Sequence, residues 1–343
     1  MTLPEPAIDE RPTAGPLVDR YARRHTYLRV SVTDRCNYRC TYCMPAEGLS
    51  WMPRKDLLSY EEIQRIVRVL VGMGVRRVRL TGGEPLVRSG LVELVGGLAG
   101  LGLDDLAMTT NAHRLAAHAQ ELADAGLTRV NVSMDAVDPD IFRRITRGGD
   151  VTRVLAGIDA ALAAGLAPVK INAVVVRDLN VEEVPRMVEH FAGYGDDVEV
   201  RFIEYMPFDA TGGTRRHVPA SELRAMLPAM EPLGRGPGGP AVRYRLTDGA
   251  HPGQVVGFIS PLTEHFCEAC NRLRLQADGH LRTCLSREAA PSLRDVLRDG
   301  LDDRGLEQLL RQRVWGKVAG HEAHQLRDGA YRPFEGVMTS VGG

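Results

Sequence analysis

The sequence lacks a long apolar segment. Its first 25 residues carry four prolines among charged residues, without an apolar run that leads to a small-residue cleavage site. A helix that spans a membrane needs about 20 apolar residues in a row, and a signal peptide also has an apolar core. We therefore expect a cytoplasmic protein with no membrane partner and a flexible arm over residues 1–25.

An excess of charge of either sign is also missing. The chain has 43 lysines and arginines against 44 aspartates and glutamates, which gives a formal net charge of -1. Proteins that bind nucleic acid generally carry a basic excess. We therefore expect no nucleic-acid partner and infer partners from individual sites.

The phosphate-binding loop GxxxxGK[ST] is absent. Residues 234–239 match GxGxxG, but they precede a strand-like segment, 242–246, instead of a helix. The dinucleotide-binding fingerprint places its glycines between a strand and a helix. We interpret residues 234–239 as a linker, so a bound phosphate needs another kind of site.

Cysteine is scarce and unevenly distributed. All six cysteines fall into two groups, Cys36-x3-Cys40-x2-Cys43 and Cys267-x2-Cys270-x13-Cys284. In a chain of this kind, close-set cysteines more often hold metal than form disulfides. Iron–sulfur clusters usually have four thiolate ligands, so a group of three leaves one iron open to a small molecule. The alternative is a structural zinc site, for which the first group has no fourth ligand nearby.

Strand-like and helix-like segments alternate from residue 27 to residue 203. Residues 27–33 alternate apolar and polar side chains, and Ser59 and Glu62 form a capping-box pattern before a helical repeat. Further strands are predicted at 75–80, 106–109, 128–134, 169–175 and 198–203, with helices between them, one of them over 112–125. Six such units in succession favour an α/β fold with a parallel sheet, either doubly wound or closed toward a barrel.

From residue 207 the pattern changes to turn-rich sequence. Strands near 272–276 and 280–284 flank Asp278-Gly279, a hairpin signal, and a helix is predicted over 301–314. We therefore divide the chain into an arm at 1–25, a strand–helix domain at 26–206 and a compact region of hairpins and helix at 207–343.

The first cysteine group resembles the signature of the radical S-adenosylmethionine family, including its aromatic residue, here Tyr42. Thr81-Gly82-Gly83-Glu84-Pro85 is similar to the glycine-rich element of that family. The resemblance implies a partial (βα)6 TIM-type barrel with a [4Fe–4S] cluster on the first group, at the strand C-termini where barrel enzymes place their sites. It implies S-adenosylmethionine at the open iron, near Tyr42, Gly83, Ser133 and Met206.

A longer resemblance covers essentially the whole chain and is similar to the GTP 3′,8-cyclases of molybdenum cofactor biosynthesis. It is carried by residues 28–36, 79–85, 201–207, 270–274 and the terminal Gly342-Gly343. The resemblance implies a lyase in which a 5′-deoxyadenosyl radical takes hydrogen from C3′ of GTP and the sugar radical attacks C8 of guanine. The implied product is (8S)-3′,8-cyclo-7,8-dihydroguanosine 5′-triphosphate. An external electron donor and a downstream cyclic pyranopterin monophosphate synthase are the implied protein partners.

The second cysteine group allows two interpretations. With His265 or His280 it matches a Cys3His zinc site, which spacing alone favours. The resemblance reverses this preference. It implies a second [4Fe–4S] cluster on Cys267, Cys270 and Cys284, whose open iron binds guanine.

Four predicted strands carry a cation on the same face as other polar residues. Barrel interiors are usually filled by branched apolar side chains, so such faces indicate either solvent or a polyanionic ligand. Arginine matches phosphate oxygens with two hydrogen bonds. The resemblance places GTP near Arg29, Arg79, Thr110, Lys170, Arg201, Arg272 and Arg274.

Catalytic roles follow from the same resemblance. They fall on Cys36, Cys40, Cys43, Arg272, Arg274, Gly342 and Gly343, the last two because the family's tail reaches the active site. One rival is a radical enzyme that modifies peptides, although such enzymes usually carry more C-terminal cysteines. The other is a zinc-bearing nucleotide-binding protein without catalysis. The sequence leaves the oligomeric state open between monomer and homodimer.

Overall fold

The computed structural model describes residues 7, 10–206, 216–236, 239–285 and 290–320, and the backbone of 326–327 and 330–331. The predicted tail glycines, Gly342 and Gly343, lie outside the described residues. No helix of the described residues is long and apolar enough to cross a membrane.

Six parallel strands form the centre of the fold. They pair in chain order, each with the next, as a sheet that curls into a partial barrel. Their bounds are β1 Tyr27–Ser31, β2 Arg77–Thr81, β3 Asp105–Thr110, β4 Arg129–Ser133, β5 Val169–Val175 and β6 Val198–Glu204. This architecture confirms the α/β fold and the partial TIM-type barrel implied by the resemblance.

Helices connect these strands and cover one face of the sheet. Their bounds are α1 Tyr60–Gly72, α2 Leu91–Ala99, α3 Ala119–Asp124, α4 Pro139–Thr146, α5 Val151–Ala163 and α6 Glu183–Phe191. The predicted capping box opens α1, where the Ser59 hydroxyl accepts from the Glu62 N–H at 3.1 Å and the Glu62 carboxylate accepts from the Ser59 N–H at 2.7 Å. Leu28 and Val30 of β1 are fully buried between the sheet and these helices.

The predicted helix over 112–125 is shorter in the structure. Ala112 has a φ of 58°, a left-handed conformation that an α-helix excludes. A 3-10 turn follows at Leu115–Ala117, and α3 begins only at Ala119. Local sequence periodicity gave no sign of this break.

The remaining strands extend the barrel sheet at both edges. They are β7 Met230–Arg235, β8 Val242–Leu246, β9 Val255–Ile259, β10 Arg272–Leu275 and β11 Leu281–Arg282, with α7 Ala220–Ala225 before them and α8 Leu293–Arg298 and α9 Asp303–Trp315 after them. Strand β10 lies parallel to β1, and β9 lies parallel to β6, in a sheet of eleven strands. Leu326–Arg327 (β12) and Ala330–Tyr331 (β13) form a separate antiparallel pair.

This arrangement differs from the expected compact second region, because its strands continue the barrel sheet. The domain boundary at residue 207 stays a prediction. The interpretation of residues 234–239 as a linker is wrong for the first two of them. Gly234 and Arg235 belong to β7 and pair with Arg243 and Val242.

The end of the predicted arm is packed against the body of the protein. Leu17, Asp19 and His25 are all no more than 1% exposed. The Leu17 N–H donates to the carbonyl of Met73 at 2.8 Å. The structure therefore differs from the expected flexible arm at residues 17–25.

Candidate active site

One cavity of about 620 Å³ runs through the interior of the partial barrel. Both cysteine groups reach it, one from the loop after β1 and the other from the segments around β10 and β11. Every predicted site residue that the structure describes lines it: Arg29, Cys36, Cys40, Tyr42, Cys43, Arg79, Gly83, Thr110, Ser133, Lys170, Arg201, Met206, Cys267, Cys270, Arg272, Arg274 and Cys284. The fold thus gathers residues that are up to 255 positions apart between Arg29 and Cys284 into one space.

The first cysteine loop is held by the end of α4. The N–H groups of Arg39 and Thr41 donate to the carbonyls of Thr146 and Ile145 at 3.1 and 2.9 Å. The Tyr38 N–H donates to Cys36 Sγ at 3.4 Å. Burial raises the pKa of the Cys36 thiol to about 11 and also raises the pKa of the Cys40 thiol well above its ordinary value. Without metal these cysteines are therefore protonated thiols, and a bound cation has to displace their protons.

The glycine-rich element packs directly on this loop. A Cβ on Gly83 would lie 2.3 Å from the carbonyl oxygen of Arg35, and one on Gly82 would lie 2.7 Å from that of Thr33. Backbone hydrogen bonds join the two segments, from Gly83 to Thr33 at 2.8 Å and from Glu84 to Arg35 at 2.7 Å. Only glycine permits this approach, which explains why the motif needs it here.

Glu84 organises the neighbouring strand end. Its buried carboxylate accepts from the Thr110 hydroxyl and from the Asn111 N–H, both at 2.7 Å. Burial raises its pKa to about 7 in spite of these hydrogen bonds. Thr110, predicted near the nucleotide, lines the cavity while its hydroxyl is bound to Glu84.

Tyr42 is oriented by a residue that sequence reasoning missed. Its hydroxyl donates to Asp135 Oδ2 at 2.7 Å, and Asp135 Oδ1 accepts from the Val174 N–H at 2.9 Å. Asn180 donates to the Asp135 carbonyl at 2.8 Å. Burial raises the pKa of Asp135 to about 6. The signal available in the sequence was an acidic residue two positions after strand β4.

The second cysteine group lies in a cationic environment. Lys317 Nζ is 3.5 Å from Cys270 Sγ and donates to the Arg272 carbonyl at 2.8 Å. Burial opposes ionisation of the Cys270 thiol, but the charges of Lys317 and Arg272 outweigh it and lower its pKa to about 6. Neither Lys317 nor its contact was foreseen, because the lysine lies 47 residues further along the chain.

The two histidines considered as zinc ligands, His265 and His280, differ in their position. Among the described residues, no group of three or more His, Cys, Asp or Glu side chains is arranged to hold a metal ion. His280 lies 3.0 Å from Asp278 and does not line the cavity, whereas His265 does. A single zinc ion draws its four ligands together, whereas in a four-iron cluster each thiolate binds its own iron. The absence of such a group among the described residues applies to both cysteine groups, so it does not separate zinc from a cluster.

Cations fill the interior between the two cysteine groups. Arg79 and Arg201 are each 8% exposed, and Arg79 Nε has no hydrogen-bond partner among the described residues. Burial, followed by the nearby charges of Arg201 and Arg129, lowers the pKa of Lys170 to about 7. These faces therefore point into the cavity and not to solvent, and their mutual repulsion favours an anionic ligand.

Three further arginines, Arg77, Arg129 and Arg243, line the same cavity. Arg129 is held by Asp105 through hydrogen bonds of 2.9 and 2.5 Å. Glu199 accepts from Arg201 at 2.6 Å and lies 3.3 Å from Arg243. None of these three arginines was assigned to the site from the sequence. Arg129 could have been found, because it shares a strand face with Asn131 and Ser133.

Comparison with known proteins shows the class of protein to which this chain belongs. Residues 30–191 match the family model of the radical SAM superfamily, and residues 198–323 match that of molybdenum cofactor synthesis C. The structure of SuiB from Streptococcus suis bound to S-adenosylmethionine aligns with a TM-score of 0.58 over 82% of this chain and 68% of that chain. Its sequence identity is 15%, so this likeness shows the fold alone. Radical SAM proteins use S-adenosylmethionine and a [4Fe–4S] cluster, and this chain is one of them.

Two relatives with high sequence identity show the family within this class. The GTP 3′,8-cyclase of Paracoccus denitrificans is 45% identical over 338 residues, 96% of this chain and 96% of its own. That of Rhizobium meliloti is 47% identical over 327 residues, 92% of this chain and 91% of its own. The chain belongs to the GTP 3′,8-cyclase family.

Proposed function

We propose that this chain converts GTP to (8S)-3′,8-cyclo-7,8-dihydroguanosine 5′-triphosphate, an early step of molybdenum cofactor biosynthesis. The observation that carries the proposal is a cavity that both cysteine groups reach and that buried cations line between them. Family membership and the 96% coverage of one relative support the same activity. The product is then passed to a cyclic pyranopterin monophosphate synthase.

Cys36, Cys40 and Cys43 would hold the first [4Fe–4S] cluster, with S-adenosylmethionine on its open iron. When bound, the cluster supplies the electron that cleaves S-adenosylmethionine to methionine and a 5′-deoxyadenosyl radical, and an external donor renews that electron. Gly83 lines the cavity, and the family resemblance implies that its main chain would contact the ligand. Asp135 orients Tyr42, while Ser133 and Met206 line the cavity at the ends of β4 and β6.

Cys267, Cys270 and Cys284 would hold a second [4Fe–4S] cluster and bind guanine through its open iron. The three thiols line the same cavity as the first cysteine group, which supports this proposal. The two ends of the cavity would then fix the two reactants separately.

The triphosphate would lie on the cations between these ends, without a phosphate-binding loop. Guanidinium groups match phosphate oxygens with paired hydrogen bonds, and buried ones gain most from an anion. The residues assigned to it are Arg29, Arg79, Thr110, Lys170, Arg201, Arg272 and Arg274. Arg129 and Arg243 join this set on the geometry of the cavity.

Selectivity in a radical reaction depends on which C–H bond lies nearest the radical carbon. This chain's residues supply it by anchoring GTP at its base and at its triphosphate. We assign Arg272, Arg274, Gly342 and Gly343 to the reaction on the family resemblance. We also propose a cytoplasmic location and keep the division of the chain at residue 207.

Anaerobic incubation of the reconstituted protein with GTP, S-adenosylmethionine and a chemical reductant tests the function. We expect 5′-deoxyadenosine and a cyclised nucleotide isomeric with GTP, together with about eight irons per chain. Zinc without sulfide would overturn the cluster assignment. Absence of both 5′-deoxyadenosine and cyclised nucleotide from a protein with full iron content would overturn the activity.

A further inference from the structure

The two cysteine groups differ in the buried charged side chains nearest their sulfur atoms, while the exposed Arg147 donates to the carbonyls of Arg39 and Met44 in the first loop. Two buried acidic side chains lie near the first group: Asp135 accepts from Tyr42, one of the two residues between Cys40 and Cys43, and Glu84 accepts from the N–H of Asn111. The Asn111 side chain in turn reaches Cys36 Sγ at 3.9 Å. Cations surround the second group, with Lys317 in contact with Cys270 and Arg23 in contact with the Cys267 carbonyl.

Lys317 is buried and bound to the second cysteine loop from behind. It is 2% exposed and is not among the residues that line the cavity. Its ammonium contacts three atoms of the loop, namely the Arg272 carbonyl at 2.8 Å and the carbonyl and Sγ of Cys270, both at 3.5 Å. It therefore acts on the sulfur without meeting a ligand in the cavity.

Arg23 fixes the segment from which Lys317 extends. Its guanidinium donates to the carbonyls of Val318 and Ala319, both at 2.6 Å, and to that of Cys267 at 2.9 Å. Asp19, fully buried, holds Arg23 Nε at 2.7 Å. The cysteine loop and the segment after α9 are thus joined as one unit, which keeps Lys317 against Cys270.

Reduction of a four-iron cluster adds one electron, and with it one negative charge, to the iron–sulfur core. A cation and hydrogen-bond donor on a ligating sulfur stabilises the reduced form, whereas buried carboxylates near a cluster destabilise it. The sign of the local charge therefore separates the two sites.

We propose that Lys317 is a positioning residue that raises the reduction potential of the second centre above that of the first. The inference rests on the proposed second cluster. A low-potential one-electron donor delivers the electron, taking the second centre from its oxidised to its one-electron-reduced state. An electron supplied to the resting protein then settles first at the guanine end of the cavity.

A potentiometric titration followed by electron paramagnetic resonance tests this inference on the reconstituted full chain. Signals are assigned with two variants, one with alanine at Cys36, Cys40 and Cys43 and one with alanine at the second group. We expect the second centre to be reduced at a less negative potential than the first. Lys317→Met should move the second potential to more negative values and leave the first unchanged, and Lys317→Arg should restore it.

Lys55→Met is the matched control, because Lys55 is exposed and should shift neither potential. An unshifted second potential in Lys317→Met, with about eight irons still bound, overturns this inference and leaves the proposed function intact. Zinc in the second group of the unsubstituted protein overturns both the inference and the second cluster. If Lys317→Met loses iron from the second group, Lys317→Gln, which keeps a hydrogen-bond donor without the charge, is titrated in its place, and an unshifted second potential in that variant overturns the inference.

Discussion

At the scale of single residues, the interior cations are stable without substrate because most of them have a local partner. Glu199 forms ion pairs with Arg201 and Arg243, and Asp105 forms one with Arg129. Lys170 differs, since its neighbours Arg201 and Arg129 repel it more than Glu199 attracts it. Its protonation state is therefore the one that an anionic ligand changes most.

The first prediction concerns Lys170 and pH. Burial and neighbouring cations lower its pKa to about 7, so part of the protein holds neutral Lys170 above that pH. A triphosphate favours the ammonium, and binding then takes up a proton. GTP affinity should fall by up to about tenfold per pH unit above pH ~7. In Lys170→Arg the fall should be shallower, because the guanidinium stays protonated.

Calorimetry in buffers of different ionisation enthalpy measures this proton uptake directly. The phosphates and the guanine titrate equally in both proteins, so the difference between them isolates Lys170. Identical pH slopes for the unsubstituted protein and Lys170→Arg would show that Lys170 does not bind the triphosphate.

Gly83→Ala is the second prediction. The added Cβ would lie 2.3 Å from the Arg35 carbonyl, a backbone atom that cannot move without shifting the cysteine loop. We expect a loss of about 1–3 kcal/mol in the free energy of unfolding and weaker binding of S-adenosylmethionine. Gly96→Ala is the control, because it lies in α2 with no atom within 4 Å of the new Cβ and should stabilise by up to about 1 kcal/mol. Equal stability of the two variants would contradict the close-approach argument.

At the scale of elements, the sequence predicted local structure better than pairing. Alternation and capping residues identified all six barrel strands and the start of α1, because these depend on neighbours in the chain. The position of β10 beside β1 joins residues about 245 apart and leaves no local periodicity to read. The contacts of Arg23 could not be predicted from local sequence either, because the carbonyls to which it donates lie 244 to 296 residues away.

Arg23→Ala tests whether residues 17–25 belong to the second site. The substitution frees three carbonyls and leaves the buried Asp19 without its arginine. Removing one partner of a buried ion pair costs about 3–5 kcal/mol. We expect a lower melting temperature and loss of iron from the second group while the first group keeps its cluster.

Arg143→Ala is the comparison for this variant, since Arg143 and Asp140 form an exposed ion pair at 3.3 Å. Such a pair contributes about 1 kcal/mol or less. Full iron content and an unchanged melting temperature in Arg23→Ala would show that the second cysteine loop is held without the N-terminal segment.

At the scale of the whole molecule, one curled sheet builds both ends of the site. The first cysteine loop leaves β1, and the second group lies before β10 and after β11, the strands that extend the sheet beside β1. The cysteine spacing predicted both groups, and polar strand faces predicted the cations between them. The sequence did not predict that Asp135, Glu84 and Lys317 lie near the cysteine groups. Tertiary packing determines which charged side chain lies near which sulfur, and the local sequence carries no sign of it.

The proposed function places S-adenosylmethionine and guanine at opposite ends of one cavity. A substitution at one end should therefore affect S-adenosylmethionine cleavage and GTP cyclisation to different extents. Cys36→Ser removes a ligand of the first cluster, so cleavage of S-adenosylmethionine should stop and no cyclised nucleotide should form. Cys270→Ser leaves the first loop untouched, so some 5′-deoxyadenosine should still form, but guanine would lose the anchor proposed for it and cyclisation should be lost. Chromatography and mass spectrometry of the anaerobic reaction give the ratio of the two products. Because this ratio is taken within one reaction, a lower yield of folded protein does not alter it.

Normal cyclisation by Cys270→Ser would remove the second cluster from the mechanism, whereas equal loss of both products would show that the two ends are not independent.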